Sequence, residues 1–122
     1  MKYWIIFLLV PVWTNAQNKY GLNAMKLEDY KMSVKTNPEN ELVNLAEFIP
    51  GIVLEIGYAT TNNFTGKKIY TMARAYARRP VAEALKKIQA DLKKQGLELE
   101  IFDGYRPYSA TVMFYETYHD TT

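Results

Sequence analysis

Residues 80–101, Pro-Val-Ala-Glu-Ala-Leu-Lys-Lys-Ile-Gln-Ala-Asp-Leu-Lys-Lys-Gln-Gly-Leu-Glu-Leu-Glu-Ile, change their hydrophobic period part-way along, and that change decides the fold class. In the first part Val81, Leu85, Ile88 and Leu92 recur at helical spacing opposite Lys86, Lys87, Lys93 and Lys94, which predicts an amphipathic helix. Pro80 suits its first turn, where a missing N–H leaves no partner unsatisfied, and Gly96 suits its C-terminal cap. In the second part Leu97, Leu99 and Ile101 alternate with Glu98 and Glu100, the period of a half-buried strand.

Working outward, Tyr70 to Arg79 is Ala-rich and is predicted to be helical. Further back, Ile52, Leu54, Ile56 and Tyr58 alternate with Val53, Glu55 and Gly57, so a second strand is predicted after a Pro50-Gly51 turn. Thr60 to Gly66 is rich in turn formers and carries one aromatic, which predicts an ordered loop. Downstream, Asp103 to Pro107 reads as a turn, and Ser109 as the cap of a last helix whose Val112, Met113 and Tyr115 or Glu116 run toward residue 122. The order read from these residues is strand, helix, strand within a single small domain.

Composition supports one small globular domain: 122 residues, 48% hydrophobic and 23% charged, exclude a disordered or collagen-like chain. Lys and Arg number 15 against 13 Asp and Glu, a net charge of +2 too small and too evenly spread to indicate a nucleic-acid partner. Cysteine is absent, which excludes disulfides, thiolate metal sites and thiol nucleophiles. His119 is the single imidazole, whereas a catalytic zinc site takes three protein ligands.

Lys2 precedes the apolar run Tyr3 to Val12, which is signal-peptide length and too short to span a bilayer comfortably. With Ala16 at the cut, residues 1–16 are expected to be an export signal, giving a periplasmic or secreted product without a stable membrane anchor. Residues 17–41 are polar and weakly patterned, and are expected to form a poorly ordered extension. The domain proper is expected to occupy residues 42–122.

The segment Ile101-Phe102-Asp103-Gly104-Tyr105-Arg106-Pro107 is the best candidate for chemistry. Asp-Gly makes a sharp turn at a strand end, and Pro107 biases Arg106 toward an extended backbone. An arginine so held can aim its donor fork at a carboxylate or at the oxyanion of a tetrahedral intermediate. The same residues also fit a surface turn in which Asp103 closes an Asx turn and Arg106 pairs with a surface carboxylate. Asn62 and Asn63 can donate to substrate carbonyls or simply make turns. Asn63-Phe64-Thr65 also matches a glycosylation sequon, and Phe64 reads as a loop anchor. His119-Asp120 has the composition of an acid/base or metal pair, but a lone histidine there reads as exposed.

Two segments taken together resemble the zinc D-alanyl-D-alanine dipeptidase family: Ile56-Gly57-Tyr58-Ala59-Thr60-Thr61-Asn62-Asn63-Phe64-Thr65-Gly66 and Phe102-Asp103-Gly104-Tyr105-Arg106-Pro107-Tyr108-Ser109. The intervening Val81-Ala82-Glu83-Ala84-Leu85 and the Lys-rich helix to Gly96 are similar to that family's connecting helix. The resemblance runs from Leu42 to about Thr122. It implies an α+β domain, a small sheet flanked by helices, that hydrolyses the D-alanyl-D-alanine dipeptide with one zinc ion, and Arg106 matches the family's arginine that stabilises the transition state. Asn63, Phe64, Asp103 and Tyr105 are the candidate substrate-binding residues.

In that family two His and one Asp bind zinc and a Glu acts as general base, in downstream Ser-x-His and Glu-x-x-His segments. His119 lies before the place where the first of these segments should begin, so no metal ligand is assigned in this chain, His119 included. The expectation is the N-terminal half to two thirds of such an enzyme, inactive alone, with a bared sheet edge and last helix. Two other functions fit the same residues. One is a non-catalytic module that binds peptidoglycan stem peptides through Arg106, and the other is a related zinc D,D-carboxypeptidase.

Overall fold

The structure, a computed structural model, describes residues 20, 21 and 23–118. The export-signal reading of residues 1–16 and the His119-Asp120 pair lie outside the described residues.

The elements in order are α1 (Leu27–Thr36), β1 (Leu42–Asn44), α2 (Leu45–Phe48), β2 (Val53–Leu54), β3 (Tyr76–Arg78), α3 (Arg79–Lys93), β4 (Glu100–Ile101) and α4 (Tyr108–Tyr118), with 3-10 turns at Pro38–Asn40 and Gly57–Ala59. The mix of helices with small sheets is the expected α+β class, although the sheet is divided into two ribbons. β1 pairs antiparallel with β3, setting Val43 opposite Ala77. β2 pairs parallel with β4, setting Leu54 opposite Ile101, with β3 and α3 in the crossover.

The core lies between these ribbons and α3. Leu45, Ile49, Ile56, Ala59, Ala75 and Ala82 are buried, with Leu54, Tyr70, Leu85 and Ile101 packed against them. Proline marks where α3 begins. Pro80 sits in its first turn, and a helix running on from residue 70 would place that ring against a carbonyl four residues back. The predicted helix over Tyr70–Arg79 is therefore replaced by an extended segment. Its residues bond instead to the β1 region, with the Leu45 N–H donating to the Ala75 carbonyl at 3.0 Å and the Arg79 N–H to Glu41 at 2.9 Å.

α3 is also rotated relative to the expected stripe. Ala82 and Gln89 are fully buried while Val81 and Ile88 stay 51% and 47% exposed. The cause is a polar clamp: Gln89 Nε2 donates to the Gly51 carbonyl at 2.9 Å, and its Oε1 accepts from the Leu99 N–H at 2.7 Å. Gln89 thus satisfies backbone groups at the ends of two very short strands, and Ala82 lets the helix approach closely. Past α3 the Leu97 N–H returns to the Leu92 carbonyl at 3.0 Å, with Gly96 at φ 72°, a closure that favours glycine.

The predicted strands are longer than those formed. Only Val53–Leu54 and Glu100–Ile101 pair, because the chain turns into the 3-10 turn at Gly57–Ala59 and Leu99 is held by Gln89. α4 starts at Tyr108 rather than after Ser109, and Ala110 and Phe114 are its buried residues. The segment expected to be a poorly ordered extension contains α1, which has no buried residue and is tied down by polar contacts. The Leu42 N–H donates to the Tyr30 hydroxyl at 2.8 Å and Asn40 Nδ2 donates to the Ser33 carbonyl at 3.3 Å. Among the described residues no helix is long and apolar enough to cross a membrane.

Candidate functional site

The loop after β2 is built around one amide. Asn63 Nδ2 donates to the carbonyls of Gly57, Thr60 and Lys67 at 3.1, 2.9 and 2.8 Å. Its Oδ1 accepts from the Thr65 N–H at 2.9 Å and from the Thr65 hydroxyl at 2.6 Å. The amide offered by the sequence as a donor to substrate, or as a glycan acceptor, is engaged inside its own loop. Gly57 is needed there because a Cβ would lie 2.7 Å from the Asn62 carbonyl oxygen.

The turn after β4 is seated on β3. The Tyr105 N–H donates to the Tyr76 carbonyl at 2.6 Å, and a Cβ on Gly104 would lie 2.6 Å from that same oxygen. This close approach fixes Asp103 and Arg106 on one side of the turn. Arg106 Nη2 donates to Asp103 Oδ2 at 2.7 Å, and Arg106 Nε donates to the same oxygen at 3.3 Å. Asp103 Oδ1 accepts from the Gly104 N–H at 2.8 Å and from the Tyr70 hydroxyl at 3.3 Å.

Aromatic rings complete the setting. The Arg106 guanidinium carbon lies 5.3 Å from the Tyr58 ring centroid and 5.0 Å from that of Phe114, within cation–π reach of both. Tyr58 and Phe114 pack at 5.1 Å, and Phe64 meets Phe114 at 5.3 Å and Tyr118 at 5.3 Å. The Tyr118 hydroxyl donates to the Thr65 carbonyl at 3.3 Å, so α4 is fastened to the Asn63 loop. The two sequence segments that the resemblance joins are thus joined in space through Arg106, Tyr58, Phe64 and Phe114.

Electrostatics follow this geometry. The hydrogen bond to Asp103 raises the Arg106 pKa above its already high ordinary value, against the opposing effect of burial. Burial first, then the Asp103 charge, raises the Tyr70 hydroxyl above its ordinary value of 10.0, and Arg106 partly offsets this. The Arg106 side chain keeps 36% exposure, so a permanent cation is oriented by a carboxylate and two rings while part of its fork faces outward. Such a group can bind an oxyanion without reorganising. Alongside lies a cleft of about 310 Å³ lined by residues that include Tyr70, Arg74, Tyr76 and Tyr105.

The structure therefore brings Asp103, Tyr105 and Arg106 to one turn, puts Phe64 in the ring cluster beside it, and gives Asn63 the role of loop organiser. Sequence reasoning missed Tyr70, Arg74 and Phe114. The three-residue spacing of Asp103 and Arg106 was a signal for their mutual pairing, whereas nothing local marked Tyr70, whose partner is 33 positions away. Among the described residues no three side chains of the metal-ligating types converge on a point.

An arginine fixed at a strand-end turn thus stands beside the ring cluster that the ordered Asn-Phe-Thr-Gly loop joins through Phe64. A family model described as D-ala-D-ala dipeptidase matches residues 38–121, and the chain belongs to that family. The chain is 39% identical over 80 residues to the D-alanyl-D-alanine dipeptidase of Escherichia coli, covering 66% of this chain and 42% of that protein. It is 38% identical over 78 residues to the D-alanyl-D-alanine dipeptidase of Enterococcus faecalis, covering 62% of this chain and 39% of that protein. The chain thus spans about two fifths of the length of the curated relatives it matches.

Proposed function

We propose that this chain carries the arginine-bearing part of an exported dipeptidase that hydrolyses D-alanyl-D-alanine in cell-wall metabolism. The observation that carries the reading is the fixed posture of Arg106, held by Asp103 and by the rings of Tyr58 and Phe114. In this reading Arg106 counters the negative charge that develops on the scissile carbonyl oxygen. Asp103 and the rings keep it in place beforehand, so no reorganisation is needed as the charge forms. Tyr105 and Phe64 form walls of the substrate site, and Asn63 contributes by holding the loop that presents Phe64.

Zinc belongs to this reading only through the family resemblance. The described residues do not fit a zinc site, because no ligand cluster is present among them, and no step is derived through the metal. The 122-residue polypeptide made by itself is accordingly proposed to leave the dipeptide intact. Export rests on the basic and apolar leader of residues 1–16.

The test is D-alanine release by the product of the complete reading frame at the source locus, assayed on the dipeptide and on a stem pentapeptide. Preferential dipeptide cleavage, with a loss of about a hundred- to a thousandfold in kcat for Arg106→Ala, is the expected result. Preference for the pentapeptide would make it a carboxypeptidase. Tight binding without hydrolysis would make it a binding module.

A further inference from the structure

Four arginines lie among the described residues, and three are engaged. Arg78 donates to Asn40 at 2.6 Å, Arg79 pairs with Glu41, and Arg106 pairs with Asp103. The fourth, Arg74, is exposed and makes no side-chain hydrogen bond or ion pair among the described residues. It lines the cleft of about 310 Å³ beside Arg106, at the small end of the size range for ligand pockets.

No Asp or Glu lines this cleft, so nothing in its wall neutralises Arg74. Tyr76 and Tyr105, also in the wall, have hydroxyls without a partner among the described residues. Ile69, Met72 and Pro107 supply apolar surface. Tyr70 is the shared wall, because its hydroxyl bonds to the Asp103 that holds Arg106. A planar cation with unused phenols and small apolar walls is a receptor for a carboxylate that carries a small apolar group.

We propose that the Arg74 cleft binds the terminal carboxylate of a short peptide, leaving Arg106 free for the peptide carbonyl. This inference rests on the dipeptidase reading and divides the labour of that site between two arginines.

The test is a nuclear magnetic resonance titration of the isotope-labelled chain with D-alanyl-D-alanine, its C-terminal amide and L-alanyl-L-alanine. The amide is expected to bind about ten- to a hundredfold more weakly than the acid, as for loss of a hydrogen bond to a charged group. Arg74→Gln should abolish that preference, Arg74→Lys should keep part of it, and Arg106→Gln should leave it in place. The spectra themselves report whether each variant is folded. If the preference survives in Arg74→Gln and disappears in Arg106→Gln, the inference is overturned while the dipeptidase reading stands. If an Arg74-dependent preference is equal for the D and L peptides, the cleft assignment stands and the D-dipeptide reading fails. If no probe shifts the cleft resonances of the unsubstituted chain, the inference is overturned.

Discussion

Asp103 divides its two carboxylate oxygens between Arg106 and Tyr70: Oδ2 accepts from the guanidinium at 2.7 Å, and Oδ1 accepts from the phenol at 3.3 Å. One acid therefore orients the cation and, after burial, adds to the upward shift of the tyrosine. Because burial and the Asp103 charge raise the Tyr70 pKa, Tyr70 should ionise above its ordinary 10.0. The folded state then retains a proton that the unfolded chain has lost, so stability falls as pH rises through this range. Asp103→Asn should move Tyr70 downward, and an ultraviolet phenolate titration with Tyr70→Phe as the assignment control checks it.

The loop prediction concerns Asn63, whose amide makes five hydrogen bonds within residues 57–67. Asn63→Ala should cost about 2 to 3 kcal/mol, since several loop carbonyls lose their donor at once. Asn63→Asp should cost more, because a carboxylate would face three carbonyl oxygens. Urea unfolding of the three proteins gives the comparison.

Gln89 allows a cleaner test of the interior. Gln89→Leu keeps the volume roughly but strips the Gly51 carbonyl and the Leu99 N–H of their partners. A loss of about 2 kcal/mol is expected, with faster amide exchange at Leu99 as the local signature.

At Gly104 a single methyl is informative. Gly104→Ala would place a Cβ 2.6 Å from the Tyr76 carbonyl oxygen and 2.9 Å from the Tyr76 nitrogen, both backbone atoms. Destabilisation of about 2 kcal/mol is expected, and the Arg106 side-chain resonances should shift as the turn lifts from β3.

Glu100 makes one contribution to the pH dependence on the acid side. A hydrogen bond with Glu55, followed by burial and like-charge repulsion, raises the Glu100 pKa above 4.5. The fold thus holds a proton more tightly than the unfolded chain, a contribution present below 4.5 and lost as pH rises through the raised value. Glu100→Gln should flatten this dependence and raise Tm at neutral pH, which thermal melts across the acid range measure.

The helix-to-strand order and the Arg106 turn were legible because each rests on local signals, a change of period at Gly96 and an Asp-Gly followed by Arg-Pro. What was not legible depends on distant partners. Tyr76–Arg78 becomes a strand only because residues 42–44 lie beside it, overriding its alanine content. The face of α3 is chosen by a glutamine that no hydropathy pattern would place inside. α1 forms with no buried residue, so its polar ties leave no apolar trace in the sequence.

Arg106 takes Asp103 and Phe114 from its own stretch of chain, whereas Tyr58 and the ties that fasten the surrounding loop and helix come from far along the sequence. Tyr118 meets Thr65 across 53 positions and Tyr70 meets Asp103 across 33. Such closures come late in folding, since each must overcome loop entropy before it contributes. Closure of the arginine cage on its Tyr58 side therefore waits on completion of the fold. Whatever occupies the cage acts as a reporter of the whole domain, and a chain halted part-way through folding has no closed site with which to bind.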